Sequence, residues 1–116
     1  MNKRNSQIRT LLLLLTVSFG ANALTVGQFQ AICQSGEQPC SEVRLLQAYV
    51  GGGLDTIASL DEKTDYLKQV YCADSRELFN VPAIIRYIET LGSEDASQNA
   101  GLMIVRYLEQ NGECEK

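Results

Sequence analysis

There is no histidine anywhere in these 116 residues. Its absence removes the commonest general base, the Ser/His and Cys/His nucleophile pairs, and the commonest zinc ligand. Clusters of Lys and Arg are missing too, which argues against nucleic acid and anionic membrane surfaces as partners. No segment alternates apolar and polar residues well enough for a sheet, and Pro39 and Pro82 are the only prolines. Neither an internal repeat nor a low-complexity linker divides the chain. Its greasiest stretch, Thr10 to Phe19, is about half of the roughly twenty residues that a membrane span needs.

What is present begins with that stretch. Lys3, Arg4 and Arg9 precede it, residues 1–23 hold no acid, and Ala21-Asn22-Ala23 follows it. A basic start, a short apolar middle and an A-x-A tail describe a secretory signal peptide, so the expected domain is residues 24–116. Position 24 is Leu and not a lipid-accepting cysteine. Three of the ten Lys and Arg fall in the leader, so the seven that remain face all 14 acids and the exported part carries −7. The reading is a binding protein and not an enzyme, with no catalytic, cofactor-binding or metal-ligating residue expected and no cofactor implied.

All four cysteines, Cys33, Cys40, Cys72 and Cys114, lie in the exported part. An even count in an oxidising compartment reads as two disulfides, and three pairings are open. Cys33–Cys40 with Cys72–Cys114 is favoured, because Gln34-Ser35-Gly36-Glu37-Gln38-Pro39 is turn-rich and can bring its own ends together. Chain entropy values the short loop at about 2.5 kcal/mol and the long one at about 4 kcal/mol. A metal site would need tighter C-x-x-C spacing or histidine partners.

The apolar periodicity predicts helices throughout. Val26, Phe29, Ile32 and Cys33 mark a first helix over 25–34. From Ser41, an expected N-cap, a second carries Val43, Leu46, Val50, Leu54 and Ile57 on one face. Gly51-Gly52-Gly53 interrupts it, either breaking the helix or admitting another backbone closely. Ser59-Leu60-Asp61-Glu62 has the form of a capping box and would open a third helix with Leu60, Leu67, Val70 and Tyr71. Residues 73–79 read as a polar connection. Asn80-Val81-Pro82 starts a fourth, with Val81, Ile84, Ile85, Ile88 and Leu91 inward, ended by Gly92. Ser93 is expected to cap a fifth, with Glu94 and Asp95 in its first turn, Ala100, Met103, Ile104, Tyr107 and Leu108 buried, and Gly112 closing it. The fold class is therefore all-α, a small bundle of four to five helices stapled by two disulfides.

Few residues stand out for function. Asp55, Asp61, Glu62 and Asp65 suit capping and solubility better than acid–base catalysis, which needs a cleft. They also lack the spacing of a calcium loop. Gly92, Ser93, Glu94 and Asp95 form a compact acidic turn between the two cleanest helices, and such a tip on rigid supports can enter a partner's groove. Of the tyrosines, Tyr71 and Tyr107 fit core stripes, whereas Tyr66 and Tyr87 lie off them and are interface candidates.

The segment Leu46-Gln47-Ala48-Tyr49-Val50-Gly51-Gly52-Gly53-Leu54-Asp55 resembles the GYxxGxxD-type segment of the Tai, or resistance-associated, immunity proteins. These protect bacteria against type VI secretion amidase effectors. Tyr71-Cys72 resembles the family's aromatic-Cys step, and Asn80-Val81-Pro82 through Tyr87-Ile88 its next helix. Ala100 through Leu108 with Cys114 is similar to its closing helix and final cysteine. About 75 of the 93 exported residues are covered in the same order. Leu46 stands where the family often has a cysteine, and Asn111-Gly112-Glu113 where a proline precedes the last one. The resemblance implies a periplasmic, helical homodimer that binds a cognate Cys/His peptidoglycan amidase and blocks its groove with an inter-helix loop, here Gly92 to Asp95. The competing expectation is a general periplasmic helical protein, chaperone-like or an envelope-stress factor, with no single cognate enzyme.

Overall fold

The computed structural model describes residues 23–64 and 70–115. The expected leader lies outside the described residues except for Ala23, as do Asp65, Tyr66 and Leu67. The described chain is all-α, with five α-helices, two short 3₁₀ turns and no strand. Both favoured disulfides form, with Cα separations of 4.8 Å for Cys33–Cys40 and 4.9 Å for Cys72–Cys114.

Helix α1 (Val26–Ser35) opens with a capping box. The Thr25 hydroxyl accepts the Gln28 N–H at 3.1 Å, and the Gln28 side chain accepts the Thr25 N–H at 3.0 Å. Two donors that the helix cannot satisfy are thus satisfied by two side chains. Val26, Phe29 and Cys33 face inward. Beyond the disulfide loop, Cys40–Glu42 makes a 3₁₀ turn that leads into α2 (Arg44–Lys63).

Helix α2 corrects two expectations, the Ser41 cap and the Ser59 start, and decides against a break at the glycines. Ser41 does not cap it; the helix starts after Val43, and the Ser41 carbonyl accepts instead from the Gln47 side chain at 2.9 Å. It neither breaks at Gly51-Gly52-Gly53 nor restarts at Ser59, so one 20-residue helix stands where two were expected. The reason is packing: Leu46, Val50 and Leu54 are buried on both sides of the glycines. Three aliphatic side chains at about 1.5–3 kcal/mol each outweigh a glycine penalty of up to about 1 kcal/mol apiece. Ser59 does not cap; its hydroxyl donates to the Asp55 carbonyl at 2.9 Å, as Thr56 does to Gly52. A Ser or Thr inside a helix bonds back to the i−4 carbonyl when the turn it might have started is already formed.

The connection at 73–79 contains a single turn of helix, α3 (Ser75–Leu78), capped by Asp74 and burying Leu78. Helix α4 (Val81–Glu89) starts as its sequence requires, with Pro82 in the first turn and the Asn80 side chain accepting the Ala83 N–H at 3.1 Å. It stops at Thr90, two residues before Gly92, and the Thr90 hydroxyl meets the Arg86 and Tyr87 carbonyls. Helix α5 (Ala100–Asn111) is capped by Asn99 and not by Ser93; Asn99 accepts the Gly101 N–H at 2.7 Å. Ser93–Asp95 is a separate 3₁₀ turn.

Helix α4 sits at the centre, touching α1, α2, α5 and the Cys40 turn. Its Ile84, Ile85 and Ile88 pack with Phe29, Leu46, Val50, Ile104 and Leu108 in one core. No polar side chain is buried among the described residues. No helix of the described chain is long and apolar enough to cross a membrane.

Candidate functional site

The acidic turn is held from three sides. Its own backbone closes first: the Asp95 N–H donates to Gly92 at 3.1 Å and the Ala96 N–H to Ser93 at 3.2 Å. Next, the Ala96 and Gln98 carbonyls accept the N–H groups of Gly27 and Val26, both at 2.9 Å, while the Ala100 N–H reaches the Leu24 carbonyl at 2.8 Å. The returning chain therefore supplies acceptors to the first turn of α1, whose N–H groups have no partner inside the helix. Gly27 makes this approach possible, since a Cβ there would stand 3.2 Å from the Ala96 oxygen. On the third side the Gln30 amide donates to the carbonyls of Ile88, Glu89 and Leu91, at 2.9 to 3.3 Å. The end of α4, the turn and the start of α1 are thereby one unit.

The four expected residues share this turn, but they do not all point outward. Asp95 pairs with Arg106 at 3.2 Å, and its side chain is only 17% exposed. The bond to Asp95 is the main reason the Arg106 guanidinium is held above its ordinary pKa. Asp95 is accordingly a brace. Ser93 and Glu94 are exposed. The Glu94 carboxylate folds over Gly92, where a Cβ would collide with it. The tip thus presents one free carboxylate, one hydroxyl and exposed backbone.

Tyr87 is not a free interface aromatic. It is half-buried with its ring 5.5 Å from that of Tyr107, which anchors α4 to α5. Tyr66 lies outside the described residues. Asp55 and Glu62 are exposed on α2, and Asp61 turns towards Tyr71, so these acids serve no common cleft. Among the described residues no three of His, Cys, Asp and Glu gather as a metal site would require.

One feature escaped the sequence. An open groove of about 440 Å³ runs between α2 and α5, lined by Tyr49, Gly52, Gly53, Ile57, Gly101 and Leu102 among others. At Gly53 a Cβ would lie 2.9 Å from the Ile104 δ-methyl, so the close neighbour is a side chain and not a backbone. The Gly51-Gly52-Gly53 run was the visible signal; its partner Gly101 carries none. No family model, curated protein or solved structure matches this chain.

Proposed function

We propose that this protein is a periplasmic immunity protein of the Tai kind, which binds a type VI secretion peptidoglycan amidase and occludes its groove with the 92–95 turn. The observation that carries the reading is the turn itself: a short acidic tip braced by Arg106, Gln30 and the first turn of α1. Such a tip binds with little ordering cost, because its shape exists before the partner arrives. A single exposed carboxylate suits the groove of a Cys/His enzyme, where the imidazolium beside the thiolate is cationic. The net charge of −7 on residues 24–116 would also steer the encounter with a positively charged rim.

The test is calorimetric titration of the oxidised protein into the amidase encoded beside its gene, with peptidoglycan cleavage followed in parallel. Tight stoichiometric binding with loss of cleavage is expected. Glu94→Lys should weaken inhibition by about tenfold or more while leaving Tm unchanged, since Glu94 braces nothing. Asp95 is unsuitable for this purpose, because its loss also releases Arg106. Full inhibition by Glu94→Lys would place the interface elsewhere, and absence of binding by the unaltered protein would sink the proposal.

A further inference from the structure

The two disulfides sit in opposite surroundings. Cys33 and Cys40 are 7% and 4% exposed and belong to the core. Cys33 is held in α1, and Cys40 opens the 3₁₀ turn that packs on α4. Cys72, by contrast, is exposed and Cys114 half-buried, and both lie outside any helix. Beside them the Gly112 carbonyl accepts the N–H groups of Cys72 and Ala73 at 2.7 and 2.8 Å. The bridges differ in reach as well, with sequence separations of 7 and 42. The short one can close on its own turn, whereas the long one has to wait until the 72–79 segment and α5 have met.

Disulfides exchange when a thiolate reaches one of the two sulfurs, so access decides which bridge reacts. At Cys33–Cys40 an attacker must first part α1 or the Cys40 turn from α4, which opens the core itself. Cys72 can be approached from solvent with every helix in place. The thiolate bonds to one sulfur, the S–S bond breaks, and the other sulfur leaves as a thiolate. A second thiol on the same reagent then displaces the first. The reagent ends as a disulfide, and its two electrons and two protons reside on Cys72 and Cys114. Run backwards, with a disulfide as oxidant, the same steps close the bridge. Opening acts locally. The 72–79 segment keeps the Gly112 carbonyl bonds, buried Leu78 and the Tyr71–Phe79 ring pair at 5.5 Å. The bonds that brace the acidic turn, from Arg106, Gln30 and the first turn of α1, are separate from it.

We infer that Cys72–Cys114 is a site of thiol–disulfide exchange with dithiols, and that Cys33–Cys40 is its permanent counterpart. This does not depend on the amidase reading, since it requires no particular enzyme. The oxidised full chain is treated with dithiothreitol, quenched at intervals with iodoacetamide and mapped by mass spectrometry. Cys72 and Cys114 should be labelled at least about tenfold sooner than Cys33 and Cys40. The species labelled at those two positions alone should accumulate and keep its helical circular dichroism. Its amide hydrogen exchange should be faster over 72–79 and unchanged over 92–95. Labelling of all four cysteines together, labelling of Cys33 and Cys40 first, or loss of helix in the doubly labelled species would each overturn the inference. A Cys-x-x-Cys dithiol protein in catalytic amounts, added to dithiothreitol too dilute to act by itself at a useful rate, separates the two sources of dithiol. Acceleration assigns the site to protein dithiols, and an unchanged rate assigns it to small ones. The Glu94 test stands or falls separately.

Discussion

Gly112 and Glu113 exchange the roles that a helix end usually assigns. Gly112 follows α5 with φ −80°, which any residue adopts, whereas Glu113 takes the left-handed value of 57°. The glycine is needed for space. A Cβ at 112 would collide with the Leu108 carbonyl and stand 2.7 Å from the Tyr71 Cα. Its carbonyl accepts from Cys72 and Ala73 at 2.7 and 2.8 Å, clasping the chain beside the Cys72–Cys114 bridge. Gly112→Ala should therefore destabilise by about 1–3 kcal/mol, since backbone and not a flexible side chain would have to move. Glu113→Gly should stabilise by about 0.5–1 kcal/mol by relieving an unfavourable φ. Thermal unfolding of the two variants reads both signs, and a stable Gly112→Ala protein would refute the steric account. Sequence alone marks Gly112 as a helix terminator; that its neighbour Tyr71 lies forty-one residues away in the chain is invisible there.

At the scale of elements, the starts of α1 and α4 were legible because their determinants are local. Asn80 and Pro82 act within three residues of the helix they begin. The new helix expected at Ser59 does not start and α2 runs through its glycines, because these are overruled by buried neighbours from α4, α5 and the Cys40 turn, which no short window contains. The end of α4 failed for a similar reason. Thr90 and Gln30 satisfy its last carbonyls, and Gln30 comes from fifty-eight residues earlier. Gln30→Ala should cost about 1–2 kcal/mol and loosen the end of α4. Amide hydrogen exchange would show this as faster exchange confined to the end of α4 and the 91–96 turn. Unchanged protection there would mean that the turn's own backbone bonds suffice to hold it. For the candidate site, the position of the acidic tip was readable as an inter-helix connection, but the split between exposed Glu94 and paired Asp95 was not. That split depends on Arg106, one helix away.

For the whole molecule, Tyr71 and Tyr49 link stability to alkaline pH. Burial first, then the charge and hydrogen bond of Asp61, raise Tyr71 above its ordinary 10.0. Burial raises Tyr49 likewise, partly offset by the Gly101 N–H. A phenol with a raised pKa keeps its proton in the folded state after the unfolded state has lost it. The contribution is thus fully present below pH 10.0 and is lost as pH climbs towards the folded value. Melting followed from neutral to strongly alkaline pH should show Tm falling above that point, with a smaller fall in Tyr71→Phe. An equal fall in both would remove Tyr71 from the account. The sequence by itself determined the all-α class, the Asn80-Val81-Pro82 start of α4 and an acidic turn between the last two long helices. It favoured the two disulfides that form, because turn-rich composition is a property of neighbours in the chain. The continuity of α2, the bracing of Asp95 and the groove beside Gly52 and Gly53 were decided only by tertiary structure. Each depends on the burial of residues far apart in sequence, and burial is fixed by how the helices pack and not by the order in which they occur.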